Sequence, residues 1–126
     1  MFMADFLTLD KVSVYNKALQ LSNYIWDIVI QWEWLPKKTV GEQWIRSIDS
    51  ISANIAEGFG RNGKKDKIKF YYYSKGSLLE SIDWFTKAKT RNLLSNDQIE
   101  YLAQSFADLP KEINYFIKFT NEKLKY

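Results

Sequence analysis

The spacing of apolar residues in the carboxyl-terminal third of the chain constrains the fold more than any other feature. From residue 95 onward these residues recur at steps of three and four, which places them on one face of an α-helix. They are Ile99, Leu102, Phe106, Leu109, Ile113, Phe116, Thr120 and Leu124. The sequence therefore predicts a helix over residues 95–123, begun by a capping box from Ser95 to Gln98. Pro110 lies within the pattern, so we expect a bend near residues 106–108 without a break.

The same spacing recurs in residues 9–32, 39–57 and 64–91, which are predicted to be three further helices. Their apolar stripes are Val14, Ala18, Leu21, Ile25, Ile28 and Trp32 in the first, Trp44, Ile48, Ile51 and Ile55 in the second, and Tyr71, Leu78, Ile82 and Phe85 in the third.

Local signals predict where these helices begin and end. Asp10 suits the N-cap region of the first helix, and Pro36 is expected to stop that helix from continuing. Residues 39–42, Thr-Val-Gly-Glu, fit a capping box for the second helix. Gly58 fits the left-handed position after the end of the second helix, and Gly60 extends the turn.

The pattern of elements predicts the architecture. No strand-like alternation of useful length is present, and the loops are short, so sequential helices should be antiparallel neighbours. The chain has 126 residues, close to the commonest size of one domain. We therefore predict a single all-α domain over residues 1–126, an antiparallel up-down-up-down four-helix bundle. Since neither a signal peptide nor a bilayer-length apolar run is recognisable, we expect a cytoplasmic protein.

Two residue types are absent from the sequence, and this bears on chemistry. Without cysteine there is no disulfide, no thiolate zinc site and no Cys nucleophile. Without histidine there is no Ser-His-Asp triad and no histidine-carboxylate di-iron site. No clustered Asp/Glu spacing suggests a magnesium site. We expect no enzymatic activity, no catalytic residues, no cofactor and no metal.

The positive charge is concentrated in one loop and one helix. The net charge of the chain is +3, but residues 61–91 hold nine Lys or Arg against three acidic residues. Such asymmetry is typical of proteins with an anionic partner, although a solvated helix face would show it too. The candidate nucleic-acid-binding residues are Arg61, Lys64, Lys65, Lys67, Lys69, Lys75, Lys87, Lys89 and Arg91.

Aromatic residues are too numerous for the four stripes. The chain has five Trp, eight Tyr and eight Phe. Apolar residues off the stripes are Tyr15, Leu19, Trp26, Trp34, Phe59, Phe70, Tyr73, Trp84, Tyr101, Tyr115 and Phe119. Because large exposed apolar patches usually mark interfaces, we predict a homo-oligomer. The alternative is a broad core that buries them.

A motif of polar residues and glycines connects the second and third helices. Asn54 and Glu57 lie three residues apart, hence on one helical face. A Glu with a raised pKa could act as a base, but a structural role is favoured. In that role Glu57 pairs with Arg46 or Arg61, and Asn54 bonds the backbone near the turn. The residues assigned to this motif are Asn54, Glu57, Gly58 and Gly60.

Gly76 lies in the middle of the third predicted helix. Glycine in a helix interior costs about 1 kcal/mol relative to Ala. Serines surround it at positions 74, 77 and 81, and Ser52, Ala53 and Ala56 line the second helix. We predict that close packing against another helix compensates for the glycine.

These motifs resemble a known four-helix-bundle family. It is named for proteins encoded in intervening sequences of large-subunit ribosomal RNA genes, and its members are often labelled as a ribosomal protein. The resemblance covers residues 14–124. The residues that carry it are Gln43, Arg46, Ser50, Ile51, Asn54, Ile55, Ala56, Glu57, Gly58, Gly60, Arg61, Phe70, Gly76, Ser77, Leu78 and Glu80. The chain departs from the family at Ile45 and Ser74, where a basic residue and an alanine are usual.

The resemblance implies a ring-shaped homopentamer of four-helix bundles and no enzymatic activity. A related group serves as accessory subunits of reverse transcriptases in diversity-generating retroelements, where basic pentameric barrels bind nucleic acid and the polymerase. We therefore predict a non-enzymatic oligomeric protein that contacts RNA or DNA through residues 61–91. The alternative is a protein-interaction scaffold or an accessory subunit, for example of a reverse transcriptase, without direct nucleic-acid contact.

Overall fold

The structure is a computed structural model that describes residues 8–126, and this part of the chain has four long helices and no strand. The helices are α1 (Ser13–Val29), α2 (Glu42–Phe59), α3 (Lys64–Thr90) and α4 (Asn96–Lys123). The prediction of an all-α fold with four helices is confirmed. Among the described helices none is long and apolar enough to cross a membrane.

The first predicted helix is shorter than its apolar stripe. A 3₁₀ turn over Leu9–Lys11 precedes α1, and Val12 is the N-cap, without a side-chain hydrogen bond. Asp10 therefore does not cap α1, contrary to the prediction. Trp32, the last residue of the stripe, lies beyond α1, and its indole Nε1 donates to the carbonyl of Leu93 at 3.0 Å.

The start of α2 differs most from the prediction. A helical turn at Trp34–Pro36 runs into a π-helical segment at Lys37–Gly41, and this segment continues into α2. Thr39 is therefore inside helical backbone, and its hydroxyl donates to the carbonyl of Leu35 at 2.7 Å. The predicted capping box at residues 39–42 is wrong. Pro36, with φ −63°, occupies the first turn of a helix, where its missing N–H costs nothing, so it does not act as a stop.

The prediction for Gly58 is also wrong. No described glycine has a positive φ, and Gly58 lies within α2. A Cβ at Gly58 would lie 2.6 Å from Cε1 of Tyr71, so the residue is small because α3 passes close by. The left-handed residue in the described chain is Asn92, with φ 60°, just after α3. There the N–H of Leu93 returns to the carbonyl of Ala88 at 2.9 Å, closing the helix end.

Most of the core is formed by the predicted stripes, although Trp32, Ile82, Ile99 and Phe116 are only partly buried. Its buried apolar side chains are Val12, Val14, Ala18, Leu21, Ile25, Ile28, Val29, Val40, Trp44, Ile48, Ile51, Ile55, Tyr71, Leu78, Phe85, Ala88, Leu102, Phe106, Leu109, Ile113 and Ile117. Burial raises the pKa of Tyr71 to about 12. Leu124, predicted at the end of the fourth stripe, is exposed.

Buried serines join α2 to α3. Ser74 donates to the carbonyl of Ile51 at 2.7 Å. Ser81 donates to Ser47 at 2.9 Å, and Ser47 donates in turn to the carbonyl of Trp44 at 3.0 Å. Small side chains at these positions allow α2 and α3 to approach closely, as the sequence suggested.

The ends of α4 agree with the prediction. The N–H of Gln98 donates to the Ser95 hydroxyl at 3.2 Å, and the Ser95 N–H donates to Oε1 of Gln98 at 2.9 Å. The predicted capping box is therefore confirmed. Pro110 lies inside α4, and the helix continues through it.

Candidate nucleic-acid interface

The Asn54–Arg61 motif forms a corner between α2 and α3. Nδ2 of Asn54 donates to the carbonyl of Ser50 at 2.9 Å, one turn earlier than expected. Glu57 pairs with Arg61 at 2.9 Å, and Arg61 also lies 3.7 Å from Asp66. Glu57, Arg61 and Asp66 line an open cleft of about 800 Å³. The charged groups of the corner neutralise one another, as expected of a structural connection.

Arg61 and Lys69 also lie against an aromatic pair. The Arg61 guanidinium is 4.6 Å from the centre of the Phe70 ring, and Nζ of Lys69 is 5.2 Å from it. Tyr73 packs edge-on against Phe70, with ring centres 5.4 Å apart. Lys69 is also paired with Asp66 at 3.2 Å. This part of α3 therefore interleaves cations with aromatic rings, a composition typical of single-strand binding surfaces.

Two of the nine candidate cations have structural roles. Nζ of Lys67 donates to the carbonyl of Phe59 at 2.7 Å, at the end of α2, and burial lowers the pKa of Lys67. Nζ of Lys64 donates to the carbonyl of Asn121 at 3.2 Å, and its backbone N–H donates to the carbonyl of Tyr126 at 2.6 Å. These contacts tie the start of α3 to the ends of α2 and α4, which leaves both amines less available to a ligand.

Four of the seven remaining cations form two groups along α3. We call Lys65 and Lys75 the amino-terminal basic group, and Lys89 and Arg91 the carboxyl-terminal basic group. Within residues 8–126 none of these four side chains makes a salt bridge, whereas Lys87 is paired with Asp83 at 2.5 Å. The helical rise places Lys75 roughly 21 Å and Lys65 roughly 36 Å from Lys89.

Sequence reasoning missed one cation near the amino-terminal basic group. Lys118 of α4 and Tyr72 of α3 line the same cleft of about 450 Å³. Nζ of Lys75 lies 5.9 Å from the centre of the Tyr72 ring, on the same part of α3. Counting charge by segments of the chain could not find Lys118, because it lies outside residues 61–91. Periodicity offered a signal, since Lys118 falls off the apolar stripe of α4.

Many of the surplus aromatics are exposed. The large apolar side chains with at least a third of their surface accessible are Leu19, Trp26, Ile30, Trp34, Leu35, Tyr72, Tyr73, Leu79, Tyr101, Tyr115, Phe119, Leu124 and Tyr126. The others predicted off the stripes, Tyr15, Phe59, Phe70 and Trp84, are half-buried. A broad core therefore accounts for part of the surplus and leaves the rest on the surface.

Gly76 has no close neighbour in the described chain. A Cβ built at this position would meet no atom within 4 Å, and the residue is exposed. No helix of the described chain therefore packs closely against Gly76, and its packing against a helix of another copy stays a prediction. Among residues 8–126 no three acidic side chains are placed to hold a metal ion.

Comparison with known proteins identifies the family. The model of the family described as 23S rRNA-intervening sequence protein matches residues 10–115. The fold is similar to the crystal structure of a protein of unknown function from the S23 ribosomal protein family of Bacteroides thetaiotaomicron. The TM-score is 0.73 at 22% identity, over 83% of this chain and 98% of that one. No curated protein matches. Since the family model spans most of the chain, this protein belongs to the 23S rRNA intervening sequence protein family.

Proposed function

We propose that this protein is a non-enzymatic homo-oligomer that binds the phosphates of RNA or DNA through the α2–α3 loop and α3. One observation carries the proposal: residues 61–91 hold nine Lys or Arg against three acidic residues in a chain whose net charge is only +3. Phosphate backbones attract such a surface whatever their base sequence, because each neutralised phosphate releases counterions.

The four cations of the two basic groups are the best candidates for phosphate contacts. Their amines and guanidinium are not already neutralised by a carboxylate within residues 8–126, unlike those of Arg61, Lys69 and Lys87. Exposed Tyr72 and Tyr73 lie beside the amino-terminal basic group, where they could stack on unpaired bases.

The assembly we propose is the one that the family resemblance implies. It is a ring-shaped homopentamer of up-down-up-down bundles, located in the cytoplasm. Several copies of α3 on one ring would multiply the attraction for a polyanion, since the salt-dependent term grows with the number of phosphates contacted. The exposed aromatics of α1 and α4 would supply apolar surface for the contacts between neighbouring subunits of the ring.

Oligonucleotide binding across a salt series tests the proposal. Lys65→Gln combined with Lys75→Gln should reduce the slope of log affinity against log salt by about 2, because two phosphate contacts are lost. Lys11→Gln combined with Lys111→Gln removes the same charge from exposed positions outside residues 61–91 and serves as the control. An equal loss in both double variants, or an affinity that salt does not change, would contradict the proposal.

A second candidate is a protein-interaction scaffold, such as an accessory subunit of a reverse transcriptase. Trp26, Trp34 and Tyr115 favour it, because each exposes half or more of its surface and none belongs to α3. In this case a purified reverse transcriptase encoded beside the gene would form a complex of defined mass. Trp26→Ser would weaken that complex, while oligonucleotides would not bind the chain alone at low salt.

A further inference from the structure

The cleft between α3 and α4 combines an aromatic ring, two amides and an amine. The residues that line it are Ile68 and Tyr72 of α3 and Asn114, Ile117, Lys118 and Asn121 of α4. Its volume of about 450 Å³ is within the range of about 300–1,000 Å³ that is usual for sites of small ligands. The cleft is therefore large enough to hold a single planar ring system.

The lining of this cleft contains no carboxylate, which distinguishes it from four other clefts of residues 8–126. The acidic residues that line those four are Glu57 and Asp66, Asp108 and Glu112, Glu112, and Asp27. A phosphate that approached any of them would be repelled. In the α3–α4 cleft the charged residue is Lys118, and within residues 8–126 it makes no salt bridge. The charge of this cleft therefore favours an anionic ligand.

The ring of Tyr72 is open to a ligand. The residue has 54% of its surface exposed, and Nζ of Lys75 lies 5.9 Å from the centre of the ring. Gly76 follows one helical turn later. Because side chains on a helix lean toward its amino terminus, a long side chain at position 76 would lie over Tyr72. A Cβ at Gly76 would meet no atom within 4 Å, so the glycine leaves the space beside the ring empty.

Tyr73 is equally exposed, at 52%, but it does not line the cleft. It packs edge-on against Phe70, with ring centres 5.4 Å apart. Adjacent residues of a helix point about 100° apart, so Tyr72 and Tyr73 present their rings to different surroundings. Tyr73 is therefore a matched control for Tyr72.

The two asparagines lie on the α4 wall of the cleft, and both are exposed. An asparagine amide offers two N–H donors and a carbonyl acceptor, the groups that pair with the edge of a base. Single-strand binding proteins stack a base on an aromatic ring and hydrogen-bond its edge. We propose that this cleft binds one unpaired base of a single strand of RNA or DNA, stacked on the Tyr72 ring. Asn114 and Asn121 hydrogen-bond the edge of that base, while Lys75 and Lys118 hold the adjoining phosphates.

This inference rests on the proposed function and specifies its ligand. A duplex is a poorer occupant of the cleft, because its bases are stacked on one another and paired, and extracting one has an energetic cost. A duplex therefore offers only its phosphates to the two basic groups, whereas a single strand also offers a base to the cleft.

Three labelled strands of about ten nucleotides separate base binding from phosphate binding. One carries thymine on deoxyribose, one carries uracil on ribose, and one is an abasic deoxyribose strand with the same number of phosphates. At one salt concentration the wild-type protein should bind the thymine or the uracil strand about tenfold more tightly than the abasic strand. Thymine and uracil have the same hydrogen-bonding edge, so the tighter of the two shows whether the strand is DNA or RNA.

Substitutions in the cleft should affect these strands differently. Tyr72→Ala should reduce the preference for the base-containing strand to about threefold or less, while Tyr72→Phe and Tyr73→Ala should retain it. Asn114→Ala combined with Asn121→Ala should weaken the base-containing strands and leave the abasic strand unchanged. Lys118→Gln should instead lower the slope of log affinity against log salt by about 0.7 for all three strands, as expected for one phosphate of a single strand.

Two results would overturn the inference. One is equal affinity of the wild-type protein for the abasic and base-containing strands, and the other is an equal loss in Tyr72→Ala and Tyr73→Ala. If the abasic strand still bound with a steep salt dependence, the proposed function would stand without the base cleft. If no strand bound at low salt, the proposed function would fail as well.

Discussion

At the scale of single residues, two helix-interior glycines have opposite surroundings. Gly58 is buried where α3 crosses α2, and a Cβ there would also lie 2.9 Å from the carbonyl oxygen of Lys67. Gly76 faces open space. The sequence alone could not distinguish them, because each has the same low helix propensity. Only the position of a neighbouring helix decides whether a glycine makes room for a contact within the chain or lies exposed on the surface.

Replacement of Gly58 tests this distinction. Gly58→Ala should lower the free energy of unfolding by about 1–3 kcal/mol, because its methyl group overlaps the Tyr71 ring and the backbone of α3. Gly60→Ala is the matched control, because its Cβ would meet carbonyl oxygens only at 3.6 Å. That variant should be neutral or more stable by up to about 1 kcal/mol. Urea unfolding of both variants measures the difference, and equal stabilities would contradict the role given to Gly58.

At the scale of elements, apolar spacing predicted the helices better than local motifs predicted their ends. Most residues of the stripes are buried because the period of a helix is a property of the backbone. The motif at residues 39–42 can form either a cap or continuous helix. Packing selected the helix: Val40 is buried, and a Cβ at Gly41 would lie 2.6 Å from Cγ1 of Val29. Val29 and Gly41 belong to different helical segments, twelve residues apart in the sequence. Rules for helix ends consider only adjacent residues, so they could not predict this contact.

The contact between α2 and α3 is the element-scale feature most open to a direct test. Ser74 is fully buried, and its hydroxyl is satisfied by the Ile51 carbonyl. Ser74→Ala should cost about 1 kcal/mol of unfolding free energy, since one buried hydrogen bond is lost without a steric clash. Ser74→Val should cost more, about 1–3 kcal/mol, because the two helices must separate.

Ser77→Ala provides the control on the same helix, because Ser77 is only half-buried. It should change the unfolding free energy by less than about 0.5 kcal/mol. Thermal unfolding followed by circular dichroism would rank the three variants. A Val variant as stable as the Ala variant would show that the space between α2 and α3 is not limiting.

At the scale of the whole molecule, the sequence predicted the amount of charge but not its arrangement. Counting residues found the excess in residues 61–91. The motif at the corner predicted the pair of Arg61 with Glu57. Counting could not show that Lys69 and Lys87 pair with carboxylates, or that Lys64 and Lys67 donate to backbone carbonyls. These pairings depend on side-chain positions around the corner and along α3. The available charge is therefore divided between two distant groups.

The separation of the basic groups predicts that the salt dependence of binding increases with the length of the DNA duplex. B-form DNA rises 3.4 Å per base pair, so a duplex of about 6 base pairs reaches one group and a duplex of about 20 base pairs reaches both. The slope of log affinity against log salt should then be near −2 for the short duplex and near −4 for the long one, from two and four phosphate contacts. Fluorescence anisotropy across a salt series measures both slopes.

Removal of one basic group should give the two duplexes the same slope of log affinity against log salt. Lys89→Gln combined with Arg91→Gln should lower the slope for the long duplex to that of the short one, because only Lys65 and Lys75 then remain. The short duplex should keep its slope and lose about half of its binding sites. If the wild-type protein gives the same slope with both duplexes, a single group contacts the nucleic acid, and the charge at the other end of α3 belongs to a solvated helix face.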